Sequence, residues 1–267
     1  MAERTIIHLY AQCWNDAWML PFFFRHYDGL VDRYILYDDG STDGSLDILR
    51  AHPRVELRRF PRSESRSFVL SEQALSNDCW KESRGQADWV IVTDIDEHLV
   101  HPRWHDYMAE QHRLGTSLIP ALGFQMINDI RPRQDEQLFP CYPMGAPWTK
   151  MMKPSIFDPS AIAEINFLTG RHSAAPEGRI QLPEQDEMLL LHYKYLSFAD
   201  THRRHGELRA GLGPSDIDTG WGHKYSWSED DLRSDWEAVR AKAVDVRGIV
   251  ADPASNPLRK WWSKYRV

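Results

Sequence analysis

Apolar and polar positions along the first hundred residues follow strand-like and helix-like periods in turn. Short runs rich in β-branched and aromatic residues predict strands at Thr5–Ala11, Arg33–Tyr37, Val55–Phe60 and Trp89–Asp94. Helical spacing occupies the intervals between them, at Trp18–Tyr27, in a segment reaching His52, and at Ser67–Ser83. This alternation predicts parallel β-α-β crossovers and an α/β fold, a three-layer α/β/α sandwich with a mostly parallel central sheet.

The pattern is less regular beyond residue 100. Further strands are predicted within Thr116–Ile127, Thr149–Phe157 and Glu187–Tyr195, and further helices at Arg103–Leu114, Ser197–Gly211 and Ser228–Arg247. At the helix starts, Asn15 or Asp16 is the expected cap of the first helix, and Ser228 that of the last. We expect residues 1–210 to form the core and residues 211–267 a helical extension packed on it.

Composition places the chain among ordinary globular proteins. Its 267 residues are 42% hydrophobic and 27% charged, and the formal net charge of −7 argues against a nucleic-acid partner. The apolar run Trp18–Phe24 is too short to cross a bilayer, and the opening residues lack the signal-peptide arrangement. We therefore expect a cytoplasmic location. The three cysteines are too widely spaced for a disulfide framework or a zinc site.

Acidic residues follow two of the predicted strands directly. Asp38 and Asp39 end one strand, and Asp94, Asp96 and Glu97 end another. Because ligands of open α/β sheets bind outside the carboxyl ends of the strands, both clusters should lie on one binding rim. Oxygen ligands there would suit a divalent cation that binds a phosphate-bearing substrate. The alternative is structural, since Asp, Ser and Gly also form turns and helix caps, and D-x-D pairs are common on solvated surfaces.

Three segments carry a resemblance to a known family. Trp14–Ser45, with its "DDGSTDGS" loop, resembles the opening of glycosyltransferase family 2. Gln73–Leu99 ("DWVIVTDIDEHL") and Leu189–Gly206 ("LLLHYKYLSF") resemble the branch related to family 92. Within these segments Leu196 replaces a usual lysine, and His98 replaces a common aromatic residue. The resemblance implies a GT-A fold with an acceptor-side helical region after the core.

The same resemblance implies a metal-dependent transfer from a nucleotide-sugar donor, expected to be a UDP-sugar. Residues expected to bind the donor are Ala11, Asn15, Asp38, Asp39, Gln73, Asp94 and Lys150. Those expected to bind Mn²⁺ or Mg²⁺ are Asp94, Asp96 and His192. The alternative for His192 is a structural role, as a hydrogen-bonded histidine packed beside Tyr193. The alternative for Lys150 is a solvated charge on the surface.

The acceptor is expected to be a hydroxyl of a glycan, a lipid-linked glycan or a small molecule. Inverting transfer requires a general base to take the proton of that hydroxyl. The candidates are Asp186, which we favour, Glu184 and Asp129. A solvated turn is the alternative for the first two.

Two other functions stay open from the sequence, a sugar-phosphate nucleotidyltransferase and a non-catalytic nucleotide- or glycan-binding relative. The first usually carries a glycine-rich loop after the first strand, and this chain has "AQCWNDAW" there. The basic, aromatic tail Asn256–Val267 could contact the inner face of the membrane. We favour the alternative that Trp261 and Trp262 pack onto the domain.

Overall fold

The computed structural model describes residues 4–249 and 260–265. The α-helices in these residues are α1 (Leu20–Tyr27), α2 (Ser45–Ala51), α3 (Phe68–Asp78), α4 (Trp104–Arg113), α5 (Phe198–Gly211), α6 (Pro214–Asp218) and α7 (Glu229–Arg240). The strands are β1 (Ile7–Cys13), β2 (Arg33–Asp38), β3 (Val55–Arg59), β4 (Trp89–Asp94), β5 (Glu97–Val100), β6 (Leu118–Ile119), β7 (Leu122–Ile127), β8 (Met144–Pro147), β9 (Ile156–Phe157), β10 (Ile162–Glu164), β11 (Glu177–Gly178), β12 (Leu189–Tyr195) and β13 (Val244–Asp245).

The larger sheet contains the predicted first-half strands. Its order is β3-β2-β1-β4-β9-β6, with β3, β2, β1 and β4 parallel and β9 and β6 antiparallel to their neighbours. Along β1, Leu9 enters one hydrophobic core with α1, while Tyr10 enters a second core with Trp80. Successive strand residues therefore bury opposite faces, as the predicted three-layer α/β sandwich requires.

Strand register places both acidic clusters at one edge of this sheet. Cys13 of β1 pairs with Asp38 of β2, and the preceding Gln12 pairs with Asp94 of β4. The carboxyl ends of the three strands are therefore level. This confirms the prediction that both clusters share a rim.

A second sheet, in the order β13-β8-β7-β12-β5, brings His192 to the same region. Strand β5 leaves β4 through the short turn at Ile95 and Asp96, and β12 lies between β5 and β7. His192 pairs with Glu97 on one side and with Gln125 on the other. The turn that carries Asp96 is thus beside the carboxyl end of β12.

Two predicted elements differ from the structure. Helix α1 begins at Leu20 and has no side-chain cap; Asp16 instead accepts from the backbone of Trp14 and from Arg204. The predicted strand at Thr149–Phe157 is a short 3₁₀ helix followed by the two-residue strand β9. Pro154, which lacks a backbone N–H, stands between the two and limits strand pairing.

Helix α7 and Trp262, in the C-terminal part of the chain, pack against residues of the preceding elements. Ser228 caps α7 by accepting from the backbone N–H of Asp231 at 3.1 Å, which confirms the predicted cap, although α7 ends at Arg240. Trp262 is fully buried, in accordance with the packing interpretation of the tail. The rest of the tail, residues 256–259 and 266–267, lies outside the described residues. No helix among the described residues has the length and apolar character needed to span a membrane.

His98 takes the place of an aromatic residue in the core. Its ring stacks on that of His26 with centroids 4.5 Å apart and packs edge-on against Tyr27 and Tyr193. Neither of its ring nitrogens has a hydrogen-bond partner among the described residues. Burial lowers the pKa of His98 well below its usual value and that of His26 to about 4.

We expect His98→Phe to stabilise the protein and to weaken the pH dependence of its stability. Below pH 6.5 these histidines bind protons in the unfolded chain but stay neutral in the folded protein. The free energy of unfolding therefore falls as the pH drops from 6.5 towards 4. Removing one of these histidines, with its two unpaired nitrogens, should add roughly 1 kcal/mol to the free energy of unfolding.

Thermal melts between pH 4 and 7 measure both effects. The control is His105→Phe, at an exposed position of α4. A melting temperature of His98→Phe equal to or below that of the wild type throughout this range contradicts the interpretation.

Candidate active site

A cavity of about 510 Å³ opens at the carboxyl rim of the larger sheet. Strand β1, helices α3 and α5, the turn between β4 and β5, strand β12 and the loops 148–153, 169–172 and 220–225 all contribute to its walls. Three of the acids and the histidine singled out in the sequence line it: Asp94, Asp96, Glu97 and His192. The rim predicted from the acidic clusters is therefore concave.

A buried cluster of charges forms the floor of the cavity. Glu97 has no exposed surface and pairs with Lys153 and, at 3.3 Å, with Arg171. Arg171 also binds Glu72 of α3 at 2.5 Å and Asp94 at 2.9 Å. Three carboxylates thus surround two buried cations, which offset the cost of removing each charge from water.

The backbone presents Arg171 in an unusual conformation. Arg171 has a φ of 53° and follows Gly170, whose φ is 68°. Glycine adopts the left-handed region freely, whereas arginine is strained there unless surrounding contacts hold it. The ion pairs from Arg171 to Asp94, Glu97 and Glu72 supply such contacts.

Asp94 is committed to this cluster. One carboxylate oxygen lies 2.9 Å from Arg171 and the other 3.5 Å from Lys153. Burial by itself raises the pKa of Asp94, but the two cations outweigh it and hold that pKa far below its usual value. Asp94 is therefore ionised at every physiological pH, and both its oxygens face cations of the chain.

Asp96 faces His192 across the cavity. The His192 Nε2 atom lies 3.4 Å from an Asp96 carboxylate oxygen. Burial raises the pKa of Asp96, and His192 more than reverses this, lowering the pKa to about 2. The Asp96 backbone is fixed as well, because its carbonyl accepts from the N–H of Tyr193 at 2.7 Å.

Gln125 sets the tautomer of His192. Its side-chain amide donates to the carbonyls of Met126 (3.0 Å) and His192 (3.2 Å), which leaves its oxygen 2.7 Å from His192 Nδ1. Nδ1 must therefore carry a hydrogen, and Nε2 is the atom directed at Asp96. Among the described residues no group of three or more His, Cys, Asp or Glu side chains has the arrangement of a metal site.

Most of the expected donor residues build the rim rather than line the cavity. Of the seven, Asp94 and Lys150 line it. Asp38 accepts from the backbone of Gly40 (2.8 Å) and Ser41 (3.0 Å) in its own loop, and Asp39 forms a bidentate ion pair with Arg62. The cavity wall at this edge contains Gln12, which lies between the expected Ala11 and Asn15, and Asp16, which the sequence indicated only as a helix cap.

The remaining expected donor residues have structural positions, one inside a strand and two in contacts between loops. Ala11 is buried within β1. Asn15 has a φ of 52° and accepts from the backbone of Thr42 at 2.7 Å, linking the two rim loops. Gln73 donates to the carbonyl of Phe167 at 2.8 Å and so supports the loop that carries Arg171.

None of the three candidate bases lines the cavity. Asp186 precedes β12 and so lies at the opposite edge of the sheet, where it pairs with Lys260 at 2.9 Å and accepts from Trp262 at 3.0 Å. Exposed Glu184 belongs to the same turn. Asp129 pairs with Arg240 on the outer side of α7. Asp186 therefore lies away from this cavity, and the identity of the general base stays a prediction.

The segment Leu212–Trp227 closes one side of the cavity, which the sequence did not reveal. Asp216, fully buried, accepts from the hydroxyl of Ser67 and from the backbone N–H groups of Phe68 and Gly213, each at 2.8 Å. Ser67 is the N-cap of α3, and Asp216 adds an acceptor for the first N–H of that helix from a distant part of the chain. A side chain at Gly213 would come within 2.1 Å of a backbone oxygen, so the contact requires glycine.

Other unpredicted wall residues are Glu72, Trp148, Lys194, Arg204, Lys224 and Tyr225. The sequence could have indicated one of these residues, Lys194. Lys194 lies two positions after His192 on a strand, so side-chain alternation places both on one face. No comparable regularity exists in the loop 220–225.

An α/β sandwich with an acid-lined cavity at its carboxyl rim, and with these sequence signatures, defines a glycosyltransferase of the GT-A fold. Residues 11–229 match glycosyltransferase family 92. The chain belongs to this family, in accordance with the resemblance noted in its sequence. Membership also favours a glycosyltransferase over the nucleotidyltransferase alternative.

Solved structures add more distant likenesses. S. aureus TarS residues 1–349 in complex with UDP-GlcNAc is 12% identical, with a TM-score of 0.37, over 75% of this chain and 64% of that one. Glucosyl-3-phosphoglycerate synthase from Mycobacterium tuberculosis, solved with Mn²⁺, UDP and its glucosylated product, is 18% identical, with a TM-score of 0.28, over 45% and 44%. The chain thus matches less than two thirds of the length of either protein. No curated protein matches it.

The buried cluster should dominate the stability of the site. Lys153→Met leaves Glu97 with one cation instead of two, and we expect a loss of about 3–5 kcal/mol in the free energy of unfolding. Glu97→Gln should also destabilise. The double variant should lose clearly less than the sum of the two, with a coupling above roughly 1 kcal/mol.

Denaturant unfolding of the four proteins measures this coupling. Arg133→Met, which breaks the exposed ion pair with Asp135, is the control and should leave the free energy of unfolding essentially unchanged. Additive effects of Lys153→Met and Glu97→Gln contradict a shared charge cluster.

Proposed function

We propose that this chain transfers a sugar from a UDP-sugar to a hydroxyl group of a glycan, with a divalent cation and with inversion at the anomeric carbon. The observation that carries the proposal is the pairing of Asp96 with His192 at the rim of a cavity in a family 92 chain. This pair lies where the family resemblance expects the diphosphate of the donor.

Asp96 and His192 fit a divalent cation. The Gln125 contact holds Nε2 of His192 towards Asp96, and a divalent cation would take the place of the proton that joins these two groups without metal. A mixed oxygen and imidazole set suits Mn²⁺ better than Mg²⁺. Asp94, by contrast, is held by Arg171 and Lys153. We therefore propose Asp96 and His192 as the ligands and give Asp94 a supporting role. When bound, the cation would neutralise charge on the diphosphate leaving group.

Aromatic side chains favour a carbohydrate as the acceptor. Trp148, Trp221 and Tyr225 line the cavity, and the Trp148 ring lies 5.8 Å from that of His192. Aromatic faces pack against the apolar C–H face of a pyranose ring. An acceptor sugar on Trp148 would thus be next to the proposed diphosphate position. The general base is not assigned to Asp129, Glu184 or Asp186, since none of them lines this cavity.

Binding of UDP with Mn²⁺ tests the donor and the cation together. We expect UDP with Mn²⁺ to raise the melting temperature more than UDP alone, and more than ADP or GDP with Mn²⁺. At a hundredfold excess over Kd the stabilisation should be about 2.7 kcal/mol. Asp96→Asn should abolish the Mn²⁺-dependent part and keep the binding of UDP alone.

Asp106→Asn, at an exposed position of α4, is the control and should behave as the wild type. An equal response of wild type and Asp96→Asn to Mn²⁺ contradicts the assignment of the cation. Release of UDP from UDP-sugars in the presence of glycans separates an enzyme from a binding relative, and the anomeric configuration of the product, read by NMR, tests inversion.

A further inference from the structure

Most of the cations around the cavity are already neutralised by the chain. Among the described residues, six lysine and arginine side chains line it. Four of these pair with carboxylates: Lys153 with Glu97, Arg171 with Glu72, Arg204 with Asp16 at 2.7 Å, and Lys224 with Asp235 at 3.0 Å. The other two are Lys150, which is exposed to solvent, and Lys194, which is half-buried.

Lys194 is a cation that reaches the cavity without a direct ion pair to a described residue, and Asp96 acts on its charge only from beyond 4 Å. Within residues 4–249 and 260–265, no carboxylate oxygen lies within 4 Å of its ammonium group, and the described hydrogen bond is to the Tyr225 hydroxyl at 2.9 Å. The ammonium also lies 4.4 Å from the centre of the Tyr225 ring. A lysine ammonium has three N–H donors, so this contact uses one of them.

The surroundings of Lys194 identify the class of ligand. It lies two residues after His192 on β12, and both side chains line the cavity. A half-buried ammonium loses part of its hydration, and hydrogen bonds that it donates to an anion replace that loss. Phosphate oxygens accept several such bonds, and lysine binds them as a compact charge.

We propose that Lys194 binds a phosphate group of the substrate, next to the position assigned to the cation at Asp96 and His192. The inference rests on the proposed function, in which this phosphate is part of the donor diphosphate. Because Lys194 also contacts Tyr225, it connects the bound phosphate to the loop 220–225. Lys194 and the cation would then both stabilise the negative charge on the diphosphate leaving group.

Binding of UDP and of uridine to matched variants separates this role from a structural one. By calorimetry, we expect Lys194→Met to weaken UDP binding about ten- to hundredfold and to change uridine binding less than about threefold. Lys194→Arg should recover most of the loss. Lys224→Met removes a charge already paired with Asp235 and should change UDP binding much less.

An equal loss for UDP and uridine in Lys194→Met overturns the proposal, because it indicates a structural role through Tyr225. An unchanged affinity for every phosphate ligand overturns it too. Inorganic phosphate titrated onto UDP-saturated protein distinguishes a phosphate group of the acceptor from the diphosphate of the donor. If Lys194→Met weakens that binding and not UDP binding, Lys194 binds phosphate from the acceptor side.

Inorganic pyrophosphate tests Lys194 independently of the proposed function. A wild type that does not bind UDP contradicts the proposed donor. Pyrophosphate binding that is present in the wild type and lost in Lys194→Met still supports a phosphate-binding lysine. Pyrophosphate binding of equal strength in both proteins overturns it.

Discussion

The ion pairs of Glu97 are the constraint on which the rest of the site depends. The carboxylates of Asp94, Asp96 and Glu97 lie close together at the end of the hydrophobic strand β4. Negative charges at such short distances repel each other. Lys153 and Arg171 stand among them, and Arg171 extends the cluster to Glu72 of α3. The turn after β4, helix α3 and the loop of Arg171 are consequently fixed relative to one another.

This arrangement separates the roles of two acids that look equivalent in sequence. Asp94 has both oxygens directed at Arg171 and Lys153, whereas Asp96 faces His192 and the open cavity. In the proposed function, Asp94 therefore belongs to the support, and Asp96 is the carboxylate assigned to the cation. Gln125 completes the division, because it fixes which nitrogen of His192 is directed at Asp96.

The sequence predicted what local patterns determine. Alternating strands and helices gave the three-layer sandwich, and acids directly after strands gave the shared rim, since the edge where a strand ends follows from its direction. Contacts between distant segments were not predictable. The sequence near Asp94 does not indicate its ion pair with Arg171, and the sequence near Phe68 does not indicate that Asp216 accepts from its backbone N–H. The position of Asp186 outside the cavity was not predictable either, because it depends on the direction of β12 in the sheet.

A crystal structure of the wild-type chain with UDP and Mn²⁺ tests the central claim most directly. The account predicts density for the ion on Asp96 and His192, a diphosphate beside it within reach of Lys194, and Asp94 still paired with Arg171. An ion on Asp94 with the Arg171 pair broken, or UDP bound outside the cavity, would contradict the division of roles between the two aspartates.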